Sequence, residues 1–341
     1  MNVLVTGAAG FIGSNLVHFL VKERPKWRVV ALDLLTYAGN LANLAALKGR
    51  PGYSFVKADI ADAEGMRSLF ERERFDVVFH LAAESHVDRS HYGAMDFVRT
   101  NVLGTQSLLA AALNAGVGRF VHISTDEVYG SLEQGAFTED APLNPTNPYA
   151  ASKAGSDLMV LACFKTHALN ACITRCTNNY GPYQFPEKLI PLFITNAMED
   201  KDLPLYGDGL NVRSWVFVED HCRALLAVAE KGQAGEVYNI GCLPEAEISN
   251  IEMTKKILNI LGKPESLVRR VADRPAHDRR YAVDYTKIRK TLNWTPLVGL
   301  DQGLALTVEW YRRERSWWQE IKSGVYREYY EKHYGGRAAV A

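Results

Sequence analysis

Short apolar runs that lack polar alternation recur along the first half of the chain, and stretches of helical apolar spacing separate them. Asn2–Thr6 is the first run. Residues 14–22 follow with Leu16, Val17, Phe19 and Leu20 at helical spacing, and residues 29–32 form the next run, which ends at Asp33. Residues 54–57, 77–81, 119–123 and 171–175 continue the series. Helices are predicted from about Ala63, from Asn101 to Ala115, and through Lys153 to about His167. Strands apolar on both faces and alternating with helices predict an α/β fold with a parallel sheet covered on both sides.

Gly7, Gly10 and Gly13 stand between the first strand and the first helix. Glycines there let the backbone turn tightly and approach a pyrophosphate, which then rests on the helix N-terminus. The expected fold is therefore a Rossmann-type doubly wound sheet that binds a dinucleotide. Asp33, twenty residues beyond Gly13, can accept both adenosine ribose hydroxyls and would repel a 2′-phosphate, so NAD is expected over NADP. Arg28, on the same strand, is the one nearby residue that leaves NADP open. Asp59, after the third strand, is placed to meet the adenine amino group or, alternatively, to cap the helix near Ala63. Small residues Ala82 and Ala83 suit close approach of a cofactor.

Composition adds exclusions. Lys plus Arg and Asp plus Glu number 39 each, so no global field recruits nucleic acid or an anionic membrane. The five cysteines lack metal-ligand spacing, with Cys172 and Cys176 on a predicted strand, and no metal is expected. No leader precedes the first strand and no apolar run reaches the roughly 18 residues of a membrane span. A soluble cytoplasmic protein is expected.

Candidate chemistry centres on residues 124–153. The fifth strand delivers Ser124, Thr125, Asp126 and Glu127 to the sheet's carboxyl edge, where open α/β sheets bind ligands. Tyr149 and Lys153 lie one helical turn apart on one face, so the ammonium can sit near the phenol and favour phenolate. An unperturbed phenol titrates near pH ~10, and with this cation, joined by the positive nicotinamide ring of a bound cofactor, Tyr149 becomes a candidate general base.

Gly7-x-x-Gly10-x-x-Gly13, Asp33, Ala82-Ala83 and Tyr149-x-x-x-Lys153 together resemble an extended short-chain dehydrogenase/reductase of the nucleotide-sugar branch. The run from Ser124 to Gly130, Asn178-Asn179-Tyr180-Gly181-Pro182, Pro186-Glu187-Lys188 and Asp273-Arg274-Pro275 with His277 and Tyr281 are similar to the dTDP-glucose 4,6-dehydratases within it. The resemblance implies oxidation of dTDP-glucose at carbon 4 by NAD, elimination of water across carbons 5 and 6, and hydride return to carbon 6, giving dTDP-4-keto-6-deoxyglucose. It implies Tyr149 as base at the 4-hydroxyl, Thr125 bonded to the same oxygen, and Lys153 on ribose and phenolate. Glu127 is implied as base at carbon 5 and Asp126 as the acid for the departing 6-hydroxyl. Such adjacent carboxyls work only if their environments separate their pKa values, so Asp126 should be raised.

By the same resemblance, Gly7, Gly10, Phe11, Ile12, Gly13, Asp33, Thr36, Asp59, Ile60, Leu81, Ala82, Ala83, Ser85, Thr100, Tyr149, Lys153 and Asn179 would hold NAD. Ser85, Thr125, Asn178, Lys188, Leu189, Pro204, Tyr206, Arg213, Asn250, Arg274, His277 and Tyr281 would hold the substrate. The implied division is an NAD-binding part over residues 1–177, with about 213–242 returning to it, a sugar-nucleotide lobe over 178–334, and a disordered tail over 335–341. The aromatic-rich residues 310–334 have helical spacing and are expected to pack on the lobe. Asp220 and His221 read as structural. A homodimer is expected from the family and from broad apolar faces on the helices near Asn101 and Ala150. Competing readings are a dehydratase of UDP- or CDP-glucose, an epimerase or decarboxylase, and a non-catalytic NAD-sensing module. The acidic pair argues against epimerase and decarboxylase, and Thr125, Tyr149 and Lys153 argue against the sensor. Thymine and uracil differ by one methyl group, worth only about 1 kcal/mol.

Overall fold

In the computed structural model, described over residues 1–273 and 277–323, the predicted strands pair in the expected parallel manner. The strands of the main sheet are β1 (Asn2–Thr6), β2 (Arg28–Asp33), β3 (Tyr53–Lys57), β4 (Val77–His80), β5 (Arg119–Thr125) and β6 (Ala171–Cys176), with β10 (Val237–Ile240) added late in the chain. Their order is β10-β6-β5-β4-β1-β2-β3. The chain starts in the interior of the sheet, winds outward to β3, and then crosses to β4 on the other side of β1. The carboxyl ends of β1 and β4 therefore open at the crossover, where such sheets receive ligands.

Alternate side chains of each strand enter different cores. Val3 and Val5 of β1 face α1 (Phe11–Glu23) and α8 (Val218–Lys231), while Leu4 faces α2 (Ala63–Glu73), α5 (Thr105–Ala115) and α6 (Pro148–His167). This is why the strands read as continuous apolar runs. Short α3 (Val87–Ser90) and α4 (Ala94–Phe97) follow β4. The helix predicted from Asn101 begins earlier, at Ala94, and its residues Val98–Gly104 form a π-helical turn before α5. Apolar spacing carries no signal for such a turn, which is set by what its side chains reach.

The remaining elements build a smaller lobe. β7 (Asn178–Tyr180), β9 (Val212–Phe217) and β11 (Glu247–Ser249) form a three-stranded sheet, and β8 (Leu203–Tyr206) pairs with β12 (Val268–Val271). Helices α7 (Leu189–Met198), α9 (Asn250–Leu261), α11 (Leu300–Arg313) and α12 (Arg315–Ser323) pack on them around Tyr180, Phe193, Trp215, Tyr311 and Trp318, while α10 (Thr286–Leu292) sits against the main sheet through Ile288. The Trp310 end of the aromatic-rich segment is core, as expected. Residues 324–341, including the predicted tail, lie outside the described residues. Ser249 and Glu252 form a reciprocal capping box that starts α9.

Candidate active site

Every site residue predicted from the sequence lines one cavity of about 430 Å³ at the carboxyl edge of the main sheet, except Arg274, which lies outside the described residues. The glycine turn forms its floor. Gly7 has φ +66°, and a Cβ there would come within 2.7 Å of the Ala82 nitrogen; one at Gly13 would sit 2.0 Å from the Gly7 carbonyl oxygen. Gly10 begins α1 without a side-chain cap, and no acidic residue stands in the first turn. The helix thus leaves amides and dipole for an anion. Asp33 is buried at the end of β2, where its carboxylate accepts from the amides of Ala9 and Leu35. Arg28 opens the far end of that strand and pairs with Glu73, so no arginine from this strand meets a 2′-phosphate. Asp59 accepts from Ala61 and pairs with Arg99, while Asp62 caps the helix at Ala63, so the capping alternative for Asp59 does not hold. These residues fit a dinucleotide such as NAD.

β5 ends in Thr125, whose hydroxyl accepts from the Glu127 amide and starts the turn Asp126–Tyr129. The turn brings both carboxyls into the cavity. Asp126 is 3% exposed; burial, reinforced by Glu127, pushes its carboxyl up to about 8. The neighbouring carboxylate of Glu127 accepts from Asn147 Nδ2 at 3.4 Å, and Asn147 Oδ1 caps α6 by accepting from Ala150. One asparagine therefore ties Glu127 to the helix that carries Tyr149.

Tyr149 and Lys153 share one face of α6. Lys153 Nζ donates to the Ile123 carbonyl at 2.8 Å. Burial, then the negative charges of Glu127 and Asp126, hold the Tyr149 phenol above its ordinary value, and the Thr125 hydroxyl opposes them. Burial pushes Lys153 down to about 8. Burial is the largest of these effects on the phenol, so a phenolate at Tyr149 calls for positive charge beside the ring.

The lobe closes the cavity. Lys188 precedes α7 and donates to the Ser85 carbonyl, and Leu189 opens the helix. Arg213 on β9 donates to the carbonyls of Val212 and Asp278, and its guanidinium lies 4.4 Å from the centre of the Tyr281 ring. Tyr281 and Thr146 both donate to Asp278 Oδ2, linking the lobe to the loop before Tyr149. Tyr206 and His277 meet edge to face, and Asn250 Oδ1 is buried without a hydrogen-bond partner among the described residues. Asn179 accepts from His221 Nδ1, and Asp220 accepts from the amides of Leu297 and Val298, both structural roles. His86, Asp88, Gln184 and Trp215 also line the cavity and were not singled out from sequence, and neither was a site role for Glu187, named there only within a motif. Glu187 accepts from Tyr37 at 3.1 Å and lies 3.6 Å from Arg89; burial raises it to about 7. Its signal was its place beside Lys188, but its partners are 98 and 150 residues away in sequence.

A doubly wound sheet with a glycine turn, an acidic end to its second strand and a Tyr-x-x-x-Lys helix at the carboxyl edge defines an extended short-chain dehydrogenase/reductase. The family described as GDP-mannose 4,6 dehydratase matches residues 4–307, and the chain belongs to it. It is 55% identical over 322 residues to a dTDP-glucose 4,6-dehydratase of Streptomyces griseus, covering 94% of this chain and 97% of that one. An Escherichia coli dTDP-glucose 4,6-dehydratase is 47% identical over 363 residues, covering 99% and 100% of the two chains. The crystal structure of a Streptomyces venezuelae dTDP-glucose 4,6-dehydratase with NAD bound superimposes with TM-score 0.91 at 53% identity, covering 94% and 100%.

Proposed function

We infer that the protein catalyses the NAD-dependent dehydration of dTDP-glucose to dTDP-4-keto-6-deoxyglucose. The observation that carries this reading is a buried carboxyl, Asp126, raised to about 8 beside Glu127 in a cavity shared with Tyr149 and Lys153. A carbon-oxygen elimination needs a proton donor and a proton acceptor at adjacent carbons; Asp126, raised to about 8, is suited to the first role and the adjacent Glu127 to the second. An epimerisation needs neither.

NAD, when bound, takes a hydride and returns it, and supplies a positive ring. Tyr149 accepts the proton of the 4-hydroxyl, with Thr125 bonded to the same oxygen. The resulting ketone acidifies carbon 5, where Glu127, held by Asn147, removes a proton. Asp126 gives its proton to the departing 6-hydroxyl. The glycine turn, the open N-terminus of α1 and Asp33 hold pyrophosphate and ribose. Lys188, Arg213 and Asn250 offer donors to the substrate diphosphate and ribose, and Tyr206 offers a ring to the base.

The proposed division gives residues 1–177, with about 213–242 returning, to NAD and residues 178–334 to the sugar nucleotide; the addition of α8 and β10 to the main sheet after the lobe begins supports it. A homodimer is supported by exposed Met95, Val98, Leu103 and Leu158 on α4, the π turn and α6. A cytoplasmic location is supported by five free cysteines. Among the described residues, no helix is long and apolar enough to cross a membrane.

The test is to incubate the purified protein with dTDP-glucose without added cofactor and follow the 4-keto product by its absorbance in alkali, with UDP-glucose in parallel. Product from dTDP-glucose alone supports the reading and retained NAD. Equal turnover of UDP-glucose moves the substrate, and no product from either, with NAD added, removes the function.

A further inference from the structure

Beneath Lys153 the chain buries a line of charged groups that the reaction does not touch. Lys153 Nζ lies 3.5 Å from His122 Nε2, which lies 3.4 Å from Asp157 Oδ1. Arg175 Nε donates to Asp157 Oδ2 at 2.9 Å. Tyr149, Lys153 and Asp157 are spaced four residues apart, so they form one stripe of α6. His122 and Asp157 are fully buried, and Lys153 and Arg175 nearly so. The groups facing this line are His80 from β4, its ring 5.2 Å from that of His122, Tyr129 after β5, which accepts from Arg175, and Tyr149 on α6 itself.

A pin between α6 and β6 needs only the Arg175–Asp157 pair. It leaves unexplained why the other carboxylate oxygen, Oδ1, is turned to His122 Nε2 at 3.4 Å, the same nitrogen that Lys153 Nζ meets at 3.5 Å. We propose that Asp157 is a positioning residue for the reaction: meeting Lys153 at the one nitrogen His122 Nε2, it is the counter-charge that keeps Lys153 an ammonium where that side chain meets the cofactor ribose. This rests on the reading of Lys153 as a ribose ligand.

The electrostatics agree with the geometry. Burial lowers Lys153, and the Asp157 carboxylate is the charge that opposes it. Burial works to raise Asp157 itself, but His122, Arg175 and Lys153 outweigh it and hold its carboxyl below the ordinary range. Burial, with Lys153, pushes His122 down to about 4, so its ring is neutral and adds no competing positive charge at working pH.

The experiment uses the holoenzyme and two variants with opposite expected signs, Asp157→Asn and Arg175→Gln. Retained NAD is measured after gel filtration at a series of pH values, with melting temperature recorded for each protein. In Asp157→Asn the pH at which NAD is lost moves down by about one unit, as expected when an opposite charge is removed. In Arg175→Gln it moves up, because Asp157 then faces Lys153 without its competitor. Profiles that superimpose on wild type in folded variants overturn the proposal and leave a structural pin. If Asp157→Asn does not fold, Arg175→Gln decides alone: an upward move supports the proposal and an unmoved profile overturns it. Retention is read without substrate, so a wrong substrate assignment appears separately, as wild-type inactivity toward dTDP-glucose.

Discussion

Asp126 shows how one side chain can be costly to the fold and necessary to the chemistry. Its carboxyl is raised from an ordinary carboxylate value to about 8 by burial and by Glu127. Between those values the native state holds a proton that the unfolded chain releases, so this group makes stability fall as pH rises across the window. An asparagine in its place would mimic the neutral form without that penalty. Asp126→Asn should therefore melt a few degrees above wild type at pH ~7.5, with the gap closing toward pH ~4, while product formation drops by roughly 10² to 10⁴-fold for loss of a positioned acid. In the wild type, turnover should fall as pH rises through about 8, because the acid form of Asp126 is lost. A variant that melted lower and kept its turnover would contradict both statements. Tyr149 and Lys153 were marked by their spacing, and Asp126 and Glu127 by the family resemblance, but the state of Tyr149 was legible in neither. It depends on burial and on the charges that end up beside the ring, Glu127 foremost among them.

Among the elements, the π turn Val98–Gly104 has a purpose that periodicity could not show. It carries Asn101, whose side chain accepts from the Glu84 amide and donates to the Glu84 carbonyl and to Ser152. That asparagine fastens the loop after β4, which lines the cavity, to the helix of Tyr149. Asn101→Ala leaves the backbone groups of Glu84 unpaired and should cost about 1 to 3 kcal/mol, read by denaturant melts. At the glycine turn, Gly13→Ala would press a methyl group onto the Gly7 carbonyl. Backbone cannot yield as a flexible side chain does, so this variant should lose bound NAD on gel filtration and melt lower; full retention would show that the turn has room. Strand existence was plain from sequence because both faces are buried. Helix starts were less so: the helix predicted from Asn101 begins at Ala94.

For the whole molecule, the exposed apolar residues at Met95, Val98, Leu103 and Leu158 belong to neighbouring helices on one side of the main sheet. Sedimentation at micromolar concentration should give a dimer for the wild type, and Leu103→Glu with Leu158→Glu should shift it to monomer. A wild type that sediments only as monomer removes the proposal. The lobe is bound to the nucleotide side by long-range polar links, among them Glu187 with Tyr37 and Asp278 with Thr146. These links place substrate donors over the catalytic turn.

The sequence by itself determined the parallel sheet, the glycine turn, the acidic end of β2 and the stripe that carries Tyr149 and Lys153. Each of these is written in local periodicity or in spacing of a few residues, and short-range sterics translate such patterns directly into backbone shape. Folding in three dimensions was needed to raise Asp126, to hold Glu127 by Asn147, to leave Asp59 free of the cap, and to bring Asp157 and Lys153 to the same His122 nitrogen. Those properties are set by burial and by partners that lie 20 residues away for Glu127 and Asn147, 35 for His122 and Asp157, and 40 for Asp59 and Arg99. Desolvation and Coulomb terms depend on where the folded chain places its groups, and a linear pattern carries no measure of that distance.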